Sequence, residues 1–347
     1  KIYCMKRWYL YPFSLVYHFV TALRNRMYDW GIFSSTKFKT PMIGVGNLSV
    51  GGSGKSPMVM YLADYLAKNF RTGVLSRGYG RKTKGYGIVN YDSNFKMVGD
   101  EAMQLFERFK NRFVIGVCED RVFGAKKIIE DMDLDVLLLD DSYQHRRIKP
   151  GFNILLTDYN DPYFKDFVLP AGNLRESRRG AKRADIIVVT KCPENITEEK
   201  KQFYISRIKP RYYQKVFFST INYDEEIFCF DPKLKLPDNN MSYYDILLIT
   251  GIANPKTFVE EVKRYSSNVK HLRFKDHHSF TTEDISLIKK EYEKLGEYKL
   301  ILTTEKDYVR LKGFDYLREK LYYWPINVEI DRAEEFNQII QDYVRKN

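Results

Sequence analysis

Short, continuously apolar runs alternate with amphipathic stretches along most of the chain, and this alternation predicts the fold. Up to residue 190, the apolar runs predict six strands, at 41–47, 72–76, 113–117, 135–139, 153–157 and 185–190. The stretches between them predict helices at 55–69, 99–110 and 119–131. Apolar strands that alternate with helices are typical of a mostly parallel sheet with helices on both faces, which is an α/β fold.

A polar segment at 210–244, rich in Pro, Asn and Asp, separates these elements from a second set, and we interpret it as an interdomain connection. The second set is predicted in the order strand 245–250, helix 255–265, strand 269–274, helix 281–295, strand 298–303 and closing helix 331–345. We therefore expect an N-terminal segment, a larger domain and a smaller α/β domain, at 1–39, 40–215 and 216–347. The closing helix could pack on either domain.

The N-terminal segment has no formal charge from Trp8 to Leu23, and it combines six aromatic residues with basic flanks. As a helix, this stretch would span roughly 24 Å, which is less than the hydrocarbon core of about 30 Å, so a spanning helix is not favoured. Aromatic and basic residues around a short apolar run are typical of a helix that lies in a membrane interface. A signal peptide fits less well, because bulky aromatics fill the apolar part. The alternative is a terminal helix packed on the protein's own core.

Composition narrows the class of protein. Of the 347 residues, 44% are hydrophobic and 29% are charged, which excludes a wholly disordered chain and a polytopic membrane protein. The net charge of +12 favours anionic partners, whether nucleic acid, an acidic membrane surface or phosphorylated substrates. None of the 4 cysteines lies in a CxxC pair, so neither a disulfide framework nor a zinc ribbon is indicated.

The strongest local signal is a glycine-rich loop between the first predicted strand and the first predicted helix. It consists of Ser49, Val50, Gly51, Gly52, Ser53, Gly54, Lys55 and Ser56. The P-loop pattern is G-x-x-x-x-G-K-[ST], and Ser49 replaces its first glycine. Backbone N–H groups of such a loop surround phosphate oxygens, Lys55 would reach the β- and γ-phosphates, and the Ser56 hydroxyl could bind Mg²⁺. The alternative is a glycine-rich turn without a ligand.

A second signal is the predicted strand 135–139, which is followed by the carboxylates of Asp140 and Asp141. Ligands of open α/β sheets bind at the carboxyl ends of the strands, so these carboxylates and Ser56 are predicted to hold Mg²⁺. Without the P-loop, the same pair would be interpreted as a surface turn. Many GTPases recognise guanine with an aspartate at the position that Pro193 occupies here, so ATP is favoured over GTP.

Several longer strings together resemble one known family, the tetraacyldisaccharide 4′-kinases, which are the lipid A 4′-kinases of Gram-negative bacteria. In chain order they are GVGNLSVGGSGKSP from Gly44, SRGYGR from Ser76, GDEAMQL from Gly99, LDDSYQHRR from Leu139, LPAGNLRES from Leu169, ADIIVVTK from Ala184, GIANP from Gly251, DHHSF from Asp276 and TTEKDYVRL from Thr303. The resemblance covers nearly the whole chain. Its departures are mild: Ser49 and Ser56 stand where threonine is usual, and Ser142 and Tyr143 stand where the family more often has a glycine and an apolar residue.

The resemblance implies a P-loop kinase fold with a second α/β domain. The implied reaction is ATP-dependent phosphorylation of the 4′-hydroxyl of a tetraacylated glucosamine disaccharide 1-phosphate, which is an acylated disaccharide phosphate lipid. It also implies work at the cytoplasmic face of the bacterial inner membrane, with the segment 1–39 peripheral or shallowly inserted. We expect ATP and Mg²⁺ as cofactors and no obligate protein partner.

A kinase needs a group that orients or deprotonates the acceptor hydroxyl. Asp100 is our candidate for this base, and the resemblance implies that it pairs with a histidine of the DHHSF string in the other domain. We assign His277 to this role and keep His278 as the second choice. Such a pair requires domain closure. By itself, the string could also be a metal site or a helix-capping turn. Two further pairs match the family strings: Gln144 and His145, expected near the nucleotide or Mg²⁺, and Lys306 and Asp307, expected to be structural.

A basic run follows the LPAGNL string and contains a single acidic residue, Glu176. Its five cations are Arg175, Arg178, Arg179, Lys182 and Arg183. Such a run could hold a substrate phosphate or lipid head groups, and the alternative is a solvated loop. Nucleic acid could use the same patch, but we find no helix-turn-helix, RRM or OB pattern and predict no such partner. The predicted substrate-binding residues are Asn173, Arg175, Glu176, Ser177 and Arg77.

Two other functions compete with the kinase. A P-loop nucleotide switch or metallochaperone would lack the strings that this chain has and would usually keep the guanine-reading aspartate. A non-enzymatic basic membrane-binding protein would have a vestigial P-loop, and the intact set of Lys55, Ser56, Asp140 and Asp141 argues against it. The predicted catalytic residues are Lys55, Asp100, Asp140, Asp141 and His277. Substitution of Asp100 separates the first two functions, because a kinase should lose lipid phosphorylation and keep ATP binding, whereas a switch should lose little.

Overall fold

Two sheets organise the chain in a computed structural model that describes residues 7, 9–229 and 240–347. The strands are β1 (Met42–Asn47), β2 (Thr72–Ser76), β3 (Gly87–Ile88), β4 (Val114–Val117), β5 (Val136–Asp140), β6 (Phe152–Asp158), β7 (Ile186–Thr190), β8 (Lys215–Tyr223), β9 (Phe228–Cys229), β10 (Asp245–Thr250), β11 (Val269–Arg273), β12 (Lys299–Thr304), β13 (Leu321–Trp324) and β14 (Ile326–Ile330). The helices are α1 (Tyr11–Asp29), α2 (Lys55–Leu66), α3 (Phe95–Val98), α4 (Asp100–Phe109), α5 (Arg121–Asp131), α6 (Glu198–Ile208), α7 (Lys256–Tyr265), α8 (Thr282–Tyr292), α9 (Glu305–Leu311) and α10 (Ala333–Lys346).

The larger sheet has nine strands in the order β14-β8-β7-β6-β1-β5-β2-β4-β3. Its inner strands are all parallel, and the edge strands β14 and β3 run antiparallel to their neighbours. Every residue of β1, β2, β5 and β7 is buried, as expected for a parallel sheet covered on both faces. The predicted α/β fold with a mostly parallel sheet is confirmed.

The smaller sheet has five strands in the order β11-β10-β12-β13-β9, and only β9 is antiparallel. One of its faces packs against α8 and α9 through residues such as Ile288 and Leu311. The other face packs against α7 through Phe258 and Val262. This sheet and its helices form the smaller domain, which shares α4–α9 contacts with the larger one.

Three elements that begin at residue 215 or later belong to the larger sheet or its core, beyond the predicted division between 215 and 216. Strand β8, which falls within the predicted connection 210–244, is part of the larger sheet, and 230–239 of that connection lie outside the described residues. Strand β14 pairs with β8, and α10 buries Phe336, Ile340 and Val344 in the core of the larger domain. We did not predict β8 because its apolar run is short and is flanked by polar residues, so the sequence does not show that the strand is buried.

Most predicted elements occur with ends shifted by one to three residues. Helix α1 extends to Asp29, well beyond the uncharged stretch, while Trp8 and the basic residues Lys1 and Lys6 lie outside the described residues. In the part of the chain that the structure describes, no helix is long and apolar enough to span a bilayer. The elements that we did not predict are β3, β8, β9, β13, β14, α3, α6 and α9.

The topology of the larger sheet determines where a ligand would bind. Strand β1 lies between β5 and β6, and the chain continues from β1 through α2 to β2, on the β5 side. The strand order therefore reverses at β1, and a crevice opens beyond the carboxyl ends of β1 and β5. Two predicted elements meet there: the glycine-rich loop 49–54 follows β1, and Asp140 ends β5.

Candidate active site

The glycine-rich loop is held open by backbone contacts from two neighbouring segments. The N–H of Val50 donates to the carbonyl of Asn173 at 2.8 Å, and the N–H of Arg175 donates to the carbonyl of Leu48 at 2.7 Å. The hydroxyl of Thr190 donates to the carbonyl of Ser53 at 2.9 Å. Gly54 precedes α2 with a φ of 81°, a conformation that favours glycine. These contacts fix the loop around the N-terminus of a 12-residue helix, where anions bind.

A cluster of opposite charges lies beside the loop. The Lys55 Nζ is 3.7 Å from the Asp141 Oδ1, and the Arg175 Nη1 is 3.0 Å from the Asp141 Oδ2. Arg175 also donates to the Gln144 Oε1 at 3.2 Å. Burial by itself would raise the pKa of Asp141, but the charges of Lys55 and Arg175 lower it. Asp141 therefore stays ionised and holds both cations at the edge of the crevice.

The environment of Asp140 disfavours its charged form, in contrast to that of Asp141. It is 4% exposed, its Oδ1 has no hydrogen-bond partner among the described residues, and its Oδ2 accepts only a long bond of 3.4 Å from Ser76. Burial, reinforced by the carboxylates of Glu101 and Asp141, raises the pKa of Asp140. A buried carboxylate oxygen without a donor is destabilising unless a cation or a proton joins it.

The donor set around Asp140 fits Mg²⁺. The hydroxyl of Ser56 lies 3.3 Å from the Glu101 Oε1, so hydroxyl and carboxylate oxygens converge on the crevice. Within the described ranges, no group of three or more His, Cys, Asp or Glu side chains is arranged to hold a metal ion. Mg²⁺ is commonly bound by one or two carboxylates together with substrate phosphates, and this site has that composition.

Asp100 and His277 meet across the two domains. The His277 Nδ1 is 2.8 Å from the Asp100 Oδ2, whereas His278 pairs with Asp284 at the start of α8. Asp100 begins α4, and His277 lies in a turn after β11 with a φ of 56°. The ring of Tyr79 lies 5.0 Å from the His277 ring. The Asp100–His277 bond therefore joins the two domains directly, and the Nε2 of His277 lies 3.4 Å from the Lys306 Nζ.

Two cations of the smaller domain complete this contact. The Arg310 Nη2 is 2.8 Å from the Asp100 Oδ2, and the Lys306 Nζ is 3.7 Å from the same oxygen. Burial opposes ionisation of Asp100, but the hydrogen bond of His277 and the charges of Lys306 and Arg310 together lower its pKa to about 2. Arg310 is in turn fixed by Asp307 at 3.1 Å. Lys306 and Asp307, which we expected to be structural, thus lie within this network.

A second network centres on Glu176, which is buried. Arg183 forms a bidentate pair with it, at 2.8 and 2.9 Å, and the Gln144 Nε2 donates to it at 3.1 Å. The Asn25 Nδ2 donates to the Glu176 Oε2 at 2.7 Å. Glu176 therefore joins the loop after β5 to α1. His145 lies next to Gln144, and burial, together with Arg121 and Arg77, lowers its pKa to about 4.

Helix α1 has its polar face towards the protein and its apolar face outwards. Ser14 accepts a hydrogen bond from the N–H of Ala171, and the Tyr17 hydroxyl donates to the carbonyl of Arg175 at 2.9 Å. Of the helix residues, only Ser14 is fully buried. Large apolar side chains of α1 are exposed: Phe13, Leu15, Val16, Phe19, Val20 and Leu23. This arrangement reverses that of a helix packed on a water-soluble core.

The predicted substrate-binding residues are only partly brought together. Asn173 and Arg175 lie against the glycine-rich loop, and Glu176 lies one contact further away. Ser177 accepts a hydrogen bond from the N–H of Arg179 and so caps a short helical turn, while Arg77 is exposed at the end of β2. The basic run is also divided, because Arg175 and Arg183 pair with Asp141 and Glu176, whereas the other three cations line a separate cavity.

Sequence reasoning did not single out Glu101, Arg310 and Asn25, which the structure places in these networks. Glu101 is adjacent to Asp100 in the GDEAMQL string, and Arg310 is the penultimate residue of the TTEKDYVRL string, so both were within motifs that we had identified. Asn25 carries no sequence signal, since its importance depends only on how α1 docks.

The fold and the crevice together define a P-loop nucleotide-binding protein of the α/β class, whose site is completed by a second domain. The family model described as tetraacyldisaccharide-1-P 4′-kinase matches residues 6–345. The chain belongs to this family, and the resemblance that we inferred from the sequence strings is confirmed.

Similar proteins agree over nearly their full lengths. A tetraacyldisaccharide 4′-kinase of Flavobacterium johnsoniae is 43% identical over 340 residues, which cover 97% of each chain. One of Bacteroides thetaiotaomicron is 42% identical over 359 aligned positions, covering 98% of this chain and 93% of the relative. A crystal structure of LpxK from Aquifex aeolicus in complex with ATP superposes with a TM-score of 0.77 at 30% identity, over 97% of this chain and 99% of that one.

Proposed function

We propose that this protein transfers the γ-phosphoryl group of ATP to the 4′-hydroxyl of a tetraacyldisaccharide 1-phosphate. The observation that carries the proposal is the joint presence of a P-loop on the larger domain and a histidine–aspartate pair closed over it by the smaller domain. The family to which the chain belongs supports the same reaction. A nucleotide switch has no need for such a pair, so we prefer the kinase.

ATP would be bound by the loop 49–56, with its phosphates at the N-terminus of α2 and Lys55 beside them. Lys55 and Arg175 are at present held by Asp141, and phosphate oxygens would compete for both cations. Ser56 and Asp140, with Glu101 close to Ser56, would hold Mg²⁺, and Asp141 would position the two cations. When bound, Mg²⁺ would neutralise charge on the phosphates during transfer.

The proton of the acceptor hydroxyl is best assigned to His277. Asp100, which we named as the base from sequence, accepts bonds at both oxygens: from its neighbour's N–H at Oδ1, and from His277 and Arg310 at Oδ2. With a pKa of about 2 it is a weak base, and its side chain is 6% exposed against 30% for His277. In this proposal, Asp100 orients the imidazole through Nδ1–H.

In the transfer step, the 4′-oxygen forms a bond to the γ-phosphorus while the bond to the bridging oxygen of ADP breaks. The hydroxyl proton moves to the His277 Nε2, and the bridging electrons leave with ADP. Lys306, whose Nζ lies 3.6 Å from the Glu101 Oε1 and 3.4 Å from the His277 Nε2, is a cation that the smaller domain contributes close to the transferred group. It would offset the charge that develops there.

The lipid substrate would reach the crevice from a membrane surface. The apolar face of α1 is exposed, and the polar face of the same helix contacts the residues of the crevice through Arg175 and Glu176. We propose that α1 lies in the interface at the cytoplasmic face of the bacterial inner membrane, as a peripheral or shallowly inserted helix. The acyl chains of the substrate would then remain in the bilayer while its disaccharide meets Asn173 and Arg175.

The test is a transfer assay in detergent with γ-labelled ATP, Mg²⁺ and a tetraacyldisaccharide 1-phosphate. The wild-type protein should place label in a bisphosphorylated lipid, and Lys55→Ala should not. His277→Gln should lower the turnover number by about 100-fold or more while it leaves ATP binding unchanged. Release of phosphate without labelled lipid would replace the kinase by a nucleotide switch, and a His277→Gln variant of normal rate would exclude the histidine as the proton acceptor.

A further inference from the structure

An open cavity of 790 Å³ lies in the larger domain, apart from the crevice that holds the P-loop. Tyr163, Phe164, Ile187 and Ile208 give it an apolar floor. Seven of its lining residues are cationic and none is acidic: Lys165, Arg178, Arg179, Lys182, Arg207, Lys209 and Arg211. We refer to it as the basic cavity.

The cations of the basic cavity have no acidic partners. Within the described part of the chain, none of the seven lies within 4.0 Å of a carboxylate, although 30 or more such pairs occur elsewhere. Arg178 donates to the backbone carbonyl of Asp166, and Lys165 and Arg207 lie over the ring of Phe203. Seven exposed cations around one cavity, without counter-charges from the chain, produce a positive potential that attracts an anion from outside.

Helix termini do not account for this cluster. Arg207 is in the last turn of α6, and a cation at a helix C-terminus is favourable without any ligand. Lys165 and the pair Arg179 and Lys182 belong to other segments, which form short helical turns of three and six residues. Charges contributed from three separate segments converge on the cavity instead.

The basic cavity adjoins the membrane-facing helix through two side-chain contacts. The ring of Tyr11 in α1 lies 6.0 Å from that of Phe167, and the Arg178 guanidinium lies 5.7 Å from the Phe167 ring centroid. Exposed aromatic side chains lie beside these cations: Phe167 contacts Arg178, Phe203 contacts Lys165 and Arg207, and Tyr212 follows Arg211 in the chain. Cations, aromatic rings and an apolar helix in one surface are the features of a protein that rests on an anionic membrane.

We propose that the basic cavity binds the phosphate head group of an anionic membrane phospholipid, at a site separate from the phosphoryl-transfer site. The inference rests on the membrane contact of α1 proposed above. The phosphate would meet the guanidinium groups of Arg179 and Arg207, and the glycerol part would lie on the apolar floor. Such a head group would fix the rotation of the protein about α1, so that the crevice faces the bilayer. Nucleic acid fits less well, because the adjoining face of α1 is apolar.

The test compares the full-length protein on sedimenting vesicles of phosphatidylcholine with and without phosphatidylglycerol. The variant Arg179→Gln/Lys182→Gln/Arg207→Gln removes three cavity charges, and Lys263→Gln/Lys289→Gln/Lys290→Gln removes three exposed charges from α7 and α8. The wild type should prefer vesicles that contain phosphatidylglycerol. The cavity variant should bind these about 100-fold more weakly and bind phosphatidylcholine as before, while the control keeps the preference.

Three outcomes would overturn the proposal. Equal losses in both variants would mean that net charge acts without a site, and an unchanged cavity variant would mean that these cations do not bind lipid. Binding of a single-stranded DNA oligonucleotide that exceeds vesicle binding and is lost in the cavity variant would assign the cavity to nucleic acid. The transfer assay in detergent separates this proposal from the kinase, because both triple variants should retain full lipid phosphorylation there.

Discussion

Arg310 of the smaller domain donates a hydrogen bond to Asp100 of the larger domain, with 2.8 Å between the Arg310 Nη2 and the Asp100 Oδ2. The two residues are 210 positions apart, and both side chains are almost fully buried, at 2% and 6% exposed. Arg310 also holds Asp307 and the carbonyl of Gly251. It is therefore the fixed point through which the smaller domain determines where Asp100, and with it His277, can lie.

The first prediction concerns Arg310→Met, which leaves two buried carboxylates without their common cation. The free energy of unfolding should fall by about 3–5 kcal/mol, because Asp100 and Asp307 remain buried, away from water, without the charge of Arg310. The turnover number should fall while the KM for ATP stays unchanged, since the P-loop lies on the other domain. Urea denaturation and steady-state kinetics measure both.

A pH profile distinguishes a positioning role of Arg310 from a merely structural one. Without Arg310, the pKa of Asp100 should rise from about 2, and the acid limb of the turnover number should move to higher pH. Arg310→Lys keeps the charge and should restore part of the rate and the original profile. A profile of unchanged shape in Arg310→Met would limit the arginine to stability.

The second prediction is that Asp140→Asn stabilises the protein in the absence of Mg²⁺ and nucleotide. Its Oδ1 has no donor, and burial raises its pKa, so ionised Asp140 opposes folding at neutral pH. Removal of that charge should raise the free energy of unfolding by about 1–3 kcal/mol and abolish turnover. Asp141→Asn is the matched control and should act in the opposite direction, because Asp141 pairs with Lys55 and Arg175. Loss of stability in both variants would contradict the assignment of Asp140.

The third prediction concerns pH and His145. Burial, with the charges of Arg121 and Arg77, lowers the pKa of His145 from 6.5 to about 4. The folded protein therefore protonates this ring at a lower pH than the unfolded chain does. The neutral ring therefore contributes stability above pH 6.5, and that contribution is lost as the pH falls towards 4. His145→Gln should lose less stability than the wild type between about pH 7 and about pH 5. Equal urea midpoint shifts in the two proteins would show that His145 is not the group responsible.

Local sequence patterns were sufficient where a signal lies within one segment. The loop 49–56, the strand before Asp140 and most of the parallel sheet each follow from a short window of residues. Strand β8 was missed because its apolar run is short and its partner β14 is about a hundred residues away, at Ile326–Ile330. The residues of β14 do alternate between apolar and polar, but the run is only five residues long, and we did not assign it.

The chemistry of the crevice was harder to predict than its location. The strings predicted that Asp100 and His277 meet, but the hydrogen bonds that make Asp100 a weak base come from α9 and a turn after β11. Similarly, the basic run appeared as one feature in sequence, and the fold divides it between the crevice and the basic cavity. Electrostatic roles depend on distances between segments, which no local pattern contains.

The last prediction separates the two faces of α1. Asn25→Ala removes the bond to Glu176, and Tyr17→Phe removes the bond to the carbonyl of Arg175, so either change loosens the helix from the crevice. In the detergent assay, each variant should raise the KM for the lipid substrate several-fold and leave the KM for ATP unchanged. Phe19→Asp changes the exposed face, where the side chain is 68% exposed. It should leave both KM values in detergent near those of the wild type and lower binding to phosphatidylcholine vesicles, because a charge opposes insertion into the interface. If Phe19→Asp binds vesicles as tightly as the wild type does, α1 is not the membrane contact. If Asn25→Ala and Tyr17→Phe leave the lipid KM unchanged, the polar face of α1 does not shape the substrate site.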